Sequence, residues 1–316
     1  MFCVFERGRT MKKIKIGGVL EASAVAMGCM RIAGFESKEV AALINTALDG
    51  GIDFFDHADI YGGGGSETIF AKAVREAAIP RDKMILQTKC GIKRGLYDFS
   101  KDHIISSLEN SLKRLGTDYV DVYMLHRPDT LVEPEEVAGA FAAIHKAGKA
   151  KYFGVSNHSP GQIRLLNKYL GSGQRIICNQ LQFSPAHTGM IDSGLNVNMT
   201  NAASVDHDGG ILDFCRLEDI TIQAWSPFMY GQFEGVFLGS DKYPELNEAI
   251  NELASQKNVP AGAVVIAWIL RHPANIQAIC GTTKVENIKG VCQACSFEMS
   301  REEWYKIYLS AGNKLP

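Results

Sequence analysis

Short apolar runs alternate with longer amphipathic stretches along the whole 316-residue chain. Eight of the apolar runs have the near-continuous character of parallel strands buried on both faces, at residues 25–31, 51–57, 83–89, 119–125, 151–156, 176–181, 220–225 and 276–281. Eight stretches with helical periodicity lie between or after them, at residues 37–50, 66–78, 100–116, 134–148, 159–171, 209–219, 260–273 and 285–295. Repeated βα units that close on themselves form a (β/α)8 TIM barrel, which is the α/β fold that the pattern predicts.

Helix start and stop signals support this division. Serine is a good N-cap and glycine a common terminator, so we expect N-caps at Ser37, Ser66, Ser100 and Ser159 and helix ends at Gly50, Gly116 and Gly148. A doubly wound open sheet is the structural alternative. It is disfavoured because no G-x-G-x-x-G motif follows the first strand.

Several segments fall outside the repeat. Residues 11–20 resemble a hairpin with a glycine turn, suited to closing the bottom of the barrel. Long loops are expected at 182–209 and 227–243, after strands 6 and 7, where barrel active sites lie. Extra helices are expected at 245–257 and 300–311. We expect one domain from residue 11 to residue 316, preceded by an extension of ten residues.

Composition narrows the class of partner. The chain is 46% hydrophobic and 22% charged, and its formal net charge is only -2. Such a balance creates no field that would gather nucleic acid or an anionic membrane surface. No apolar run approaches the roughly 18 residues of a spanning helix, and the start is too weakly apolar for a signal peptide. We therefore expect a cytoplasmic monomer or weak homo-oligomer that acts on a small molecule.

Two local patterns invite other interpretations. The eight cysteines lie largely in apolar runs and indicate reduced, buried thiols. Cys292 and Cys295 form a C-x-x-C without a second ligand pair, so helix packing is favoured over a metal or redox site. The glycines at 62–65 lack the Lys-Ser/Thr of a phosphate loop and predict a flexible loop beside a substrate pocket. No metal site is expected.

Four ionisable residues stand at or just after successive strand ends: Asp56, Tyr61, Lys89 and His126. Strand ends of a barrel converge on one mouth, so these side chains should meet. A phenol with a reference pKa of about 10 becomes a better acid when a cation favours its ionised form. Lys89 could supply that charge, Asp56 could orient the lysine, and His126 could polarise a carbonyl oxygen. Each residue taken singly is compatible with a structural role.

The segments that carry these residues resemble the motifs of the aldo-keto reductase family. They read FFDHADIYG, LQTKCG and VYMLHRPD, and the similarity continues through YFGVSN, CNQLQFS, AWSPF and ICGTTK. It covers the chain from about residue 14 to the C-terminus and is strongest towards bacterial general aldo/keto oxidoreductases. The resemblance implies a (β/α)8 barrel, a nicotinamide cofactor across its mouth and hydride transfer to a carbonyl.

The resemblance also implies cofactor contacts along the mouth. Asp56 is expected to contact the cofactor. The other expected contacts are Cys29, Met30 and Arg31 at the ribose and nicotinamide, Ser156, Asn157 and Gln180 at the carboxamide, Trp225 as stacking ring, Ser226, Phe228 and Gly231 at the pyrophosphate, and Thr282, Lys284 and Asn287 at the 2′-phosphate.

The adenosine end departs from the family pattern. Asn287 stands where many members carry an arginine, and Val291 where many carry an asparagine. Lys284 therefore carries most of the argument for NADP, and a lysine lacks the bidentate fork of an arginine. We expect NADPH to be preferred over NADH.

The resulting hypothesis is an NADP(H)-dependent enzyme that reduces aldehydes or ketones to alcohols, with Tyr61 as general acid. One alternative is a cofactor-binding, redox-sensing regulatory protein on the same fold. Another is a lyase that forms a Schiff base on Lys89. Candidates for substrate specificity are Tyr97, Phe99 and Phe183, each of which could equally pack its own loop.

Overall fold

A computed structural model describes residues 11–171, 173–231 and 233–316. The strands in this part of the chain are β1 (Lys13–Ile16), β2 (Leu20–Ser23), β3 (Val25–Gly28), β4 (Phe54–Asp56), β5 (Ile85–Cys90), β6 (Ile92–Lys93), β7 (Leu96–Tyr97), β8 (Val120–Leu125), β9 (Ala150–Ser156), β10 (Ile176–Gln182), β11 (Thr221–Trp225), β12 (Met229–Tyr230), β13 (Gly235–Val236) and β14 (Gln277–Cys280).

Eight of these strands form a closed parallel barrel in the order β3-β4-β5-β8-β9-β10-β11-β14. Each coincides with one of the eight strands expected from the sequence, so the predicted (β/α)8 fold is confirmed. Closure of the sheet excludes the open doubly wound alternative. The extension predicted for residues 1–10 lies outside the described residues.

The helices surround the barrel. They are α1 (Ser37–Asp49), α2 (Gly65–Glu76), α3 (Lys101–Leu115), α4 (Pro134–Lys146), α5 (Pro160–Tyr169), α6 (Gly189–Leu195), α7 (Ile211–Leu217), α8 (Pro244–Lys257), α9 (Ala261–Arg271), α10 (Val285–Cys292) and α11 (Arg301–Ser310). Every helix expected from the sequence is present, including the two extra ones at α8 and α11.

Two of the four expected N-caps are correct. Ser100 and Ser159 precede α3 and α5, and each side chain accepts a hydrogen bond from the third helical N–H. The N-caps expected at Ser37 and Ser66 were wrong. Glu36 caps α1, so the Ser37 hydroxyl is free to donate to a carboxylate of α2. Helix α2 starts earlier, after left-handed Gly64, and the Ser66 hydroxyl donates to a backbone carbonyl.

The expected helix ends are correct. Gly50 and Gly116 are the C-caps of α1 and α3, and Gly148 follows Ala147, the C-cap of α4. Gly116 has a φ of +63°, in the left-handed region that favours glycine. These stops explain why the helices end where the next strand has to enter the barrel.

The hairpin β1–β2 closes the bottom of the barrel, as predicted. Its turn at Gly17 lies against the first residues of two barrel strands: the Gly17 N–H donates to the Thr221 hydroxyl at 2.9 Å. Gly17 has a φ of +56°, and a Cβ there would lie 2.5 Å from Cβ of Ile177. Any larger residue would push the hairpin away from the barrel floor.

The apolar core has two parts. The larger one lies between the barrel and the surrounding helices and includes Phe55, Tyr123 and Trp268. The smaller one fills the lower barrel, where Ile14 and Ile16 of the hairpin meet Phe54, Val122 and Ile279. The floor is therefore apolar and packed, and the polar residues of the barrel interior lie above it.

The two long loops after strands 6 and 7 are present but carry secondary structure. The first contains α6 and a 3₁₀ turn at Ala202–Ser204, and the second contains the β12–β13 hairpin. Within residues 11–171, 173–231 and 233–316, no helix alone is long and apolar enough to cross a membrane. Helices α8 and α9 pass that test only as a pair bent by 96°.

Candidate active site

The four candidate residues meet at the C-terminal mouth of the barrel. Asp56 is the last residue of β4, Lys89 lies one residue before the end of β5, and His126 directly follows β8. The His126 N–H donates to the carbonyl of Cys90, which holds the start of its loop against the neighbouring strand. Tyr61 reaches the same point from the 3₁₀ turn Tyr61–Gly64.

Lys89 is the centre of this group. Its side chain is fully buried, and Nζ donates to Asp56 Oδ2 at 2.8 Å, to the carbonyl of His57 at 2.8 Å and to Tyr61 Oη at 3.1 Å. An ammonium has three protons, so these three acceptors satisfy it completely. The lysine is thereby fixed with one proton directed at the phenol oxygen.

The glycines after Tyr61, for which the sequence predicted a loop beside a substrate pocket, form a defined turn. Gly62, Gly63 and Gly64 all have positive φ, and α2 begins at Gly65. A Cβ at Gly62 would lie 2.4 Å from the Cβ of Ala33. The left-handed turn and this close approach both require glycine, and together they aim Tyr61 into the mouth.

Burial and charge set the protonation of the two groups that face the mouth. Burial raises the pKa of Tyr61 and the Lys89 charge opposes it, with a net rise above the ordinary value. Lys89 thus lowers the pKa of Tyr61, as expected, but burial raises that pKa by more. Burial, Lys89 and Arg127 together hold the pKa of His126 well below its usual range. The mouth therefore presents a protonated phenol and a neutral imidazole, whose rings meet edge to face at 5.9 Å.

A cleft of about 770 Å³ runs across the mouth. The expected site residues that line it are Met30, Arg31, Asp56, Tyr61, His126, Ser156, Asn157, Gln180, Trp225, Ser226, Phe228, Thr282 and Asn287. The structure thus brings motif residues from distant parts of the sequence together in one continuous cleft.

Four expected residues do not line the cleft. Lys89 and Cys29 are buried beneath it, and the Cys29 N–H donates to the carbonyl of Asp56. The carbonyl of Gly231 accepts from the side chain of Gln182 at 2.6 Å. Lys284 is exposed and stands at the N-cap of α10.

The residues expected to hold a carboxamide are linked to the stacking ring. Ser156 Oγ donates to the carbonyl of Gln180 at 3.0 Å, and Asn157 Nδ2 donates to Ser156 Oγ at 2.7 Å. Trp225 Nε1 donates to Asn157 Oδ1 at 3.2 Å. The indole is therefore held in place, and Phe233 stacks on it with ring centroids 5.6 Å apart.

The far end of the cleft is built on the first turn of α10. The Thr282 hydroxyl accepts from the N–H of Lys284 at 3.3 Å and from Asn287 Nδ2 at 3.2 Å. Val291 also lines this end, and so does Glu286, an acidic residue that the sequence interpretation did not consider. The local charge is therefore mixed.

The aromatic specificity candidates lie elsewhere. Phe99 is buried and stacks on His158, Phe183 packs on Trp268, and Tyr97 is exposed and pairs with Ile92 at the open end of the β6–β7 hairpin. None of the three lines the cleft, so each packs its own loop or faces solvent. Ile92 and Phe233 line the cleft instead.

The C-x-x-C pair lies away from the cleft. Cys292 ends α10 close to Gly50, and Cys295 Sγ lies 3.8 Å from the sulfur of Met11. Both thiols are free, and burial raises both pKa values. Among the described residues, no group of three or more His, Cys, Asp or Glu side chains could hold a metal ion.

Sequence reasoning missed three buried glutamines inside the barrel: Gln87, Gln223 and Gln277. The signal was present, because Gln223 and Gln277 lie in the mainly apolar strand candidates ITIQAW and IQAICG. Gln87 also lies two residues before Lys89, on the same face of its strand. Arg127, beside His126 in the cleft lining, was likewise not considered as a site residue.

Comparison with known proteins agrees with this geometry. The model of the Aldo/keto reductase family matches residues 24–308. The uncharacterized oxidoreductase YcsN of Bacillus subtilis is 34% identical, over 94% of this chain and 97% of that protein. A 6-dehydroglucose reductase of Agrobacterium fabrum is 34% identical, over 96% and 99%.

A solved structure gives the same result. The thermostable aldo-keto reductase Tm1743, in complex with the inhibitor epalrestat, superposes with a TM-score of 0.75 at 27% identity, over 95% of this chain and 100% of that one. With a matching family model, relatives of like length and the same barrel, the chain is an oxidoreductase that belongs to the aldo/keto reductase family.

Proposed function

We propose that the protein is an NADP(H)-dependent reductase that converts an aldehyde or ketone to an alcohol, with Tyr61 as the proton donor. The observation that carries this proposal is the contact of Tyr61 Oη with Lys89 Nζ at 3.1 Å, in the wall of a cleft of about 770 Å³. When bound, the nicotinamide cofactor supplies the hydride.

Tyr61 and His126 act on the carbonyl oxygen. Because Lys89 donates to the phenol oxygen, the proton of that phenol is free to point into the cleft. A carbonyl oxygen placed there accepts this proton as negative charge develops on it, and the adjacent ammonium stabilises the phenolate that remains. The neutral imidazole of His126 contributes one N–H donor, which orients the carbonyl.

Cofactor binding uses groups that are already in position. Gln180 and Asn157 present amide groups to a carboxamide, and Trp225 offers a planar ring for stacking. The ring has Phe233 on it at 5.6 Å and the Arg127 guanidinium at 5.8 Å from its centroid. Stacking of a nicotinamide on the face that Phe233 covers therefore requires Phe233 to leave the indole.

The preference for NADPH is proposed from the first turn of α10. A helix N-terminus attracts anions through its free N–H groups and dipole, and Lys284 adds a positive charge there. Glu286 opposes this attraction from the same turn. We expect the lysine and the helix end to prevail, so that a 2′-phosphate strengthens binding.

Names of relatives suggest where the substrate search should begin. Two relatives, 34% and 31% identical, are called 6-dehydroglucose reductase, so oxidised sugars belong in the first panel beside simple aldehydes. A relative from Schizosaccharomyces pombe, 30% identical, is called a putative voltage-gated potassium channel subunit beta. That name keeps the regulatory alternative in view, and turnover distinguishes it from the reductase.

The deciding experiment measures multiple-turnover oxidation of NADPH and NADH against such a panel. The wild-type protein and Tyr169→Phe, which alters an exposed tyrosine at the end of α5, should turn over equally. Tyr61→Phe should lose turnover by at least about a hundredfold, as expected when a general acid is removed, and should keep its cofactor Kd. Ordinary turnover in Tyr61→Phe would refute the role of Tyr61, and a wild-type protein that binds cofactor without turnover would favour the regulatory alternative.

A further inference from the structure

Four glutamines from four barrel strands form one polar layer inside the barrel. They are Gln87 on β5, Gln180 on β10, Gln223 on β11 and Gln277 on β14, and all are buried. Strand register explains the layer, because Gln180 pairs with Gln223 and Gln223 pairs with Gln277. Asp56 pairs with Gln87 in the same way, which places its carboxylate beside this layer.

Hydrogen bonds run through the layer from the barrel floor to Asp56. Gln277 Nε2 donates to the carbonyl of Ser23 at 2.8 Å, and Gln223 Nε2 donates to Gln277 Oε1 at 2.8 Å. Gln223 Oε1 then accepts from Gln87 Nε2 at 3.0 Å and from Gln180 Nε2 at 3.3 Å.

The same two amide nitrogens reach the candidate active site. Gln87 Nε2 donates to Asp56 Oδ1 at 2.6 Å, and Gln180 Nε2 donates to it at 3.1 Å. Asp56 in turn accepts from Lys89 at 2.8 Å. Lys89 Nζ also lies 2.7 Å from the same Oδ1, so two neutral donors and the cation together hold the carboxylate.

The direction of this chain is determined by its lower end. The carbonyl of Ser23 can only accept, so Gln277 must turn its NH₂ group towards it and its oxygen towards Gln223. Gln223 must then donate its NH₂ group to Gln277 and turn its oxygen towards Gln87. Gln87 consequently presents its NH₂ group both to that oxygen and to Asp56. Gln87 keeps this orientation although it leaves its own Oε1 buried without a hydrogen-bond partner among the described residues, which is unfavourable.

We propose that Gln87, with Gln223 and Gln277 behind it, is a positioning residue: the chain fixes the carboxylate of Asp56 and, through it, the proton that Lys89 directs at Tyr61. Gln180 also belongs to this chain. Its Nε2 is engaged by Asp56 and Gln223, so its Oε1 remains to accept a hydrogen bond from the carboxamide of a cofactor. The inference rests on the proposed function for its effect on turnover.

Two substitutions at one position test the role of Gln87. Gln87→Met keeps the length of the side chain and removes the donor. It should lower kcat about tenfold or more at every pH, because small displacements of catalytic groups are costly, while KM for the cofactor stays within about twofold. Gln87→Glu introduces a carboxyl group that donates to Asp56 while protonated and repels it once ionised. Its kcat should fall towards that of Gln87→Met as the pH rises from 5.5 to 8.5.

Thr88→Val is the matched control. Thr88 is equally buried on the same strand, but its hydroxyl donates outwards to Glu67 at 2.6 Å. This variant loses a buried hydrogen bond of similar kind and should keep the kcat and pH profile of the wild type. If Gln87→Met fails to fold, Gln277→Met makes the same test from the barrel floor and should still have a lower kcat than Thr88→Val.

A readout independent of turnover separates the inference from the proposed function. The ¹⁵Nζ signal of Lys89, assigned with Lys89→Met, should show slow exchange with water in the wild type and in Thr88→Val and at least several-fold faster exchange in Gln87→Met. Faster exchange without any wild-type turnover would leave the inference standing and refute the proposed function. Wild-type turnover with kcat and exchange unchanged in Gln87→Met would overturn the inference.

Discussion

Lys89 directs one of its three protons at Tyr61, 3.1 Å away, and commits the other two to Asp56 and the carbonyl of His57. This relationship does two things. It places a positive charge where a phenolate would form, and it leaves the phenol's own proton to face the cleft. A cation with all its protons engaged inside the barrel is also a structural element, since its removal leaves Asp56 without a counter-charge.

Lys89→Met should therefore destabilise the fold as well as abolish turnover. Breaking a buried ion pair by removing one partner costs about 3–5 kcal/mol. The double variant Asp56→Asn/Lys89→Met removes both charges and should recover a large part of that loss without recovering activity. Urea unfolding of the wild type, both single variants and the double variant gives the coupling free energy directly. If the double variant lost as much stability as the two single variants together, Asp56 and Lys89 would not be a coupled pair.

The buried histidine next to this pair predicts how stability depends on pH. His57 is fully buried, neither ring nitrogen has a hydrogen-bond partner among the described residues, and its ring meets Phe70 edge to face at 4.5 Å. Burial, reinforced by Lys89, lowers its pKa to about 3. Between about pH 3 and the unfolded value near 6.5, the unfolded chain binds a proton that the folded protein does not. Stability contributed by His57 therefore increases with pH across this range and is constant above it.

His57→Leu should remove this contribution. The free energy of unfolding of the wild type should rise with pH more steeply than that of the variant, by about 1.4 kcal/mol per pH unit between pH 4 and 6. Phe70→Leu is the control, since it disturbs the same packing without removing a titrating group. Its stability should be lower than that of the wild type, with the same slope. Equal slopes in the wild type and His57→Leu would show that the buried imidazole does not titrate as described.

Residues of one short strand show what could be predicted from the sequence and what could not. Buried parallel strands are nearly continuous apolar runs, so the run ending in Lys89 predicted β5 correctly. Strand alternation puts Gln87 on the same face as Lys89 and Thr88 on the other face, but the run could not show which side chains each of them contacts. Gln87 points into the barrel and bonds Asp56, whereas Thr88, one residue later, points outwards and bonds Glu67. That distinction depends on barrel closure and register, which bring together strands far apart in the chain.

Local competition explains the remaining errors. Ser37 and Ser66 were suitable caps by residue type, but neighbouring residues, Glu36 and Gly64, took the cap position. The four motif residues at the mouth were predictable because parallel strands all end at one edge. The charge of Glu286 in the cleft was not, since a residue on the first turn of a helix can face several directions.

Cofactor preference should depend on the opposing charges at the start of α10. Lys284 stands at the N-cap, and Glu286 lines the cleft from the first turn. An exposed charge at a helix N-terminus contributes about 1 kcal/mol at most, which is roughly fivefold in Kd. Lys284→Met should weaken NADPH binding by about that factor and leave NADH binding unchanged. Glu286→Gln should strengthen NADPH binding by a similar factor, because it removes a negative charge near the expected 2′-phosphate.

Titration of the intrinsic tryptophan fluorescence, to which Trp225 in the cleft contributes, measures both affinities in each variant, and Lys289→Met provides the control. Lys289 is exposed on the same helix but in its last turn, so its loss changes the net charge without changing the N-terminal turn. Its ratio of NADPH to NADH affinity should equal that of the wild type. The changes should also shrink as salt is raised, since exposed charges are screened over about 10 Å at 0.1 M salt. If Lys284→Met and Lys289→Met lowered NADPH affinity equally, general charge rather than a contact at the helix start would set the preference, and Lys284 would have no specific role in recognising the 2′-phosphate.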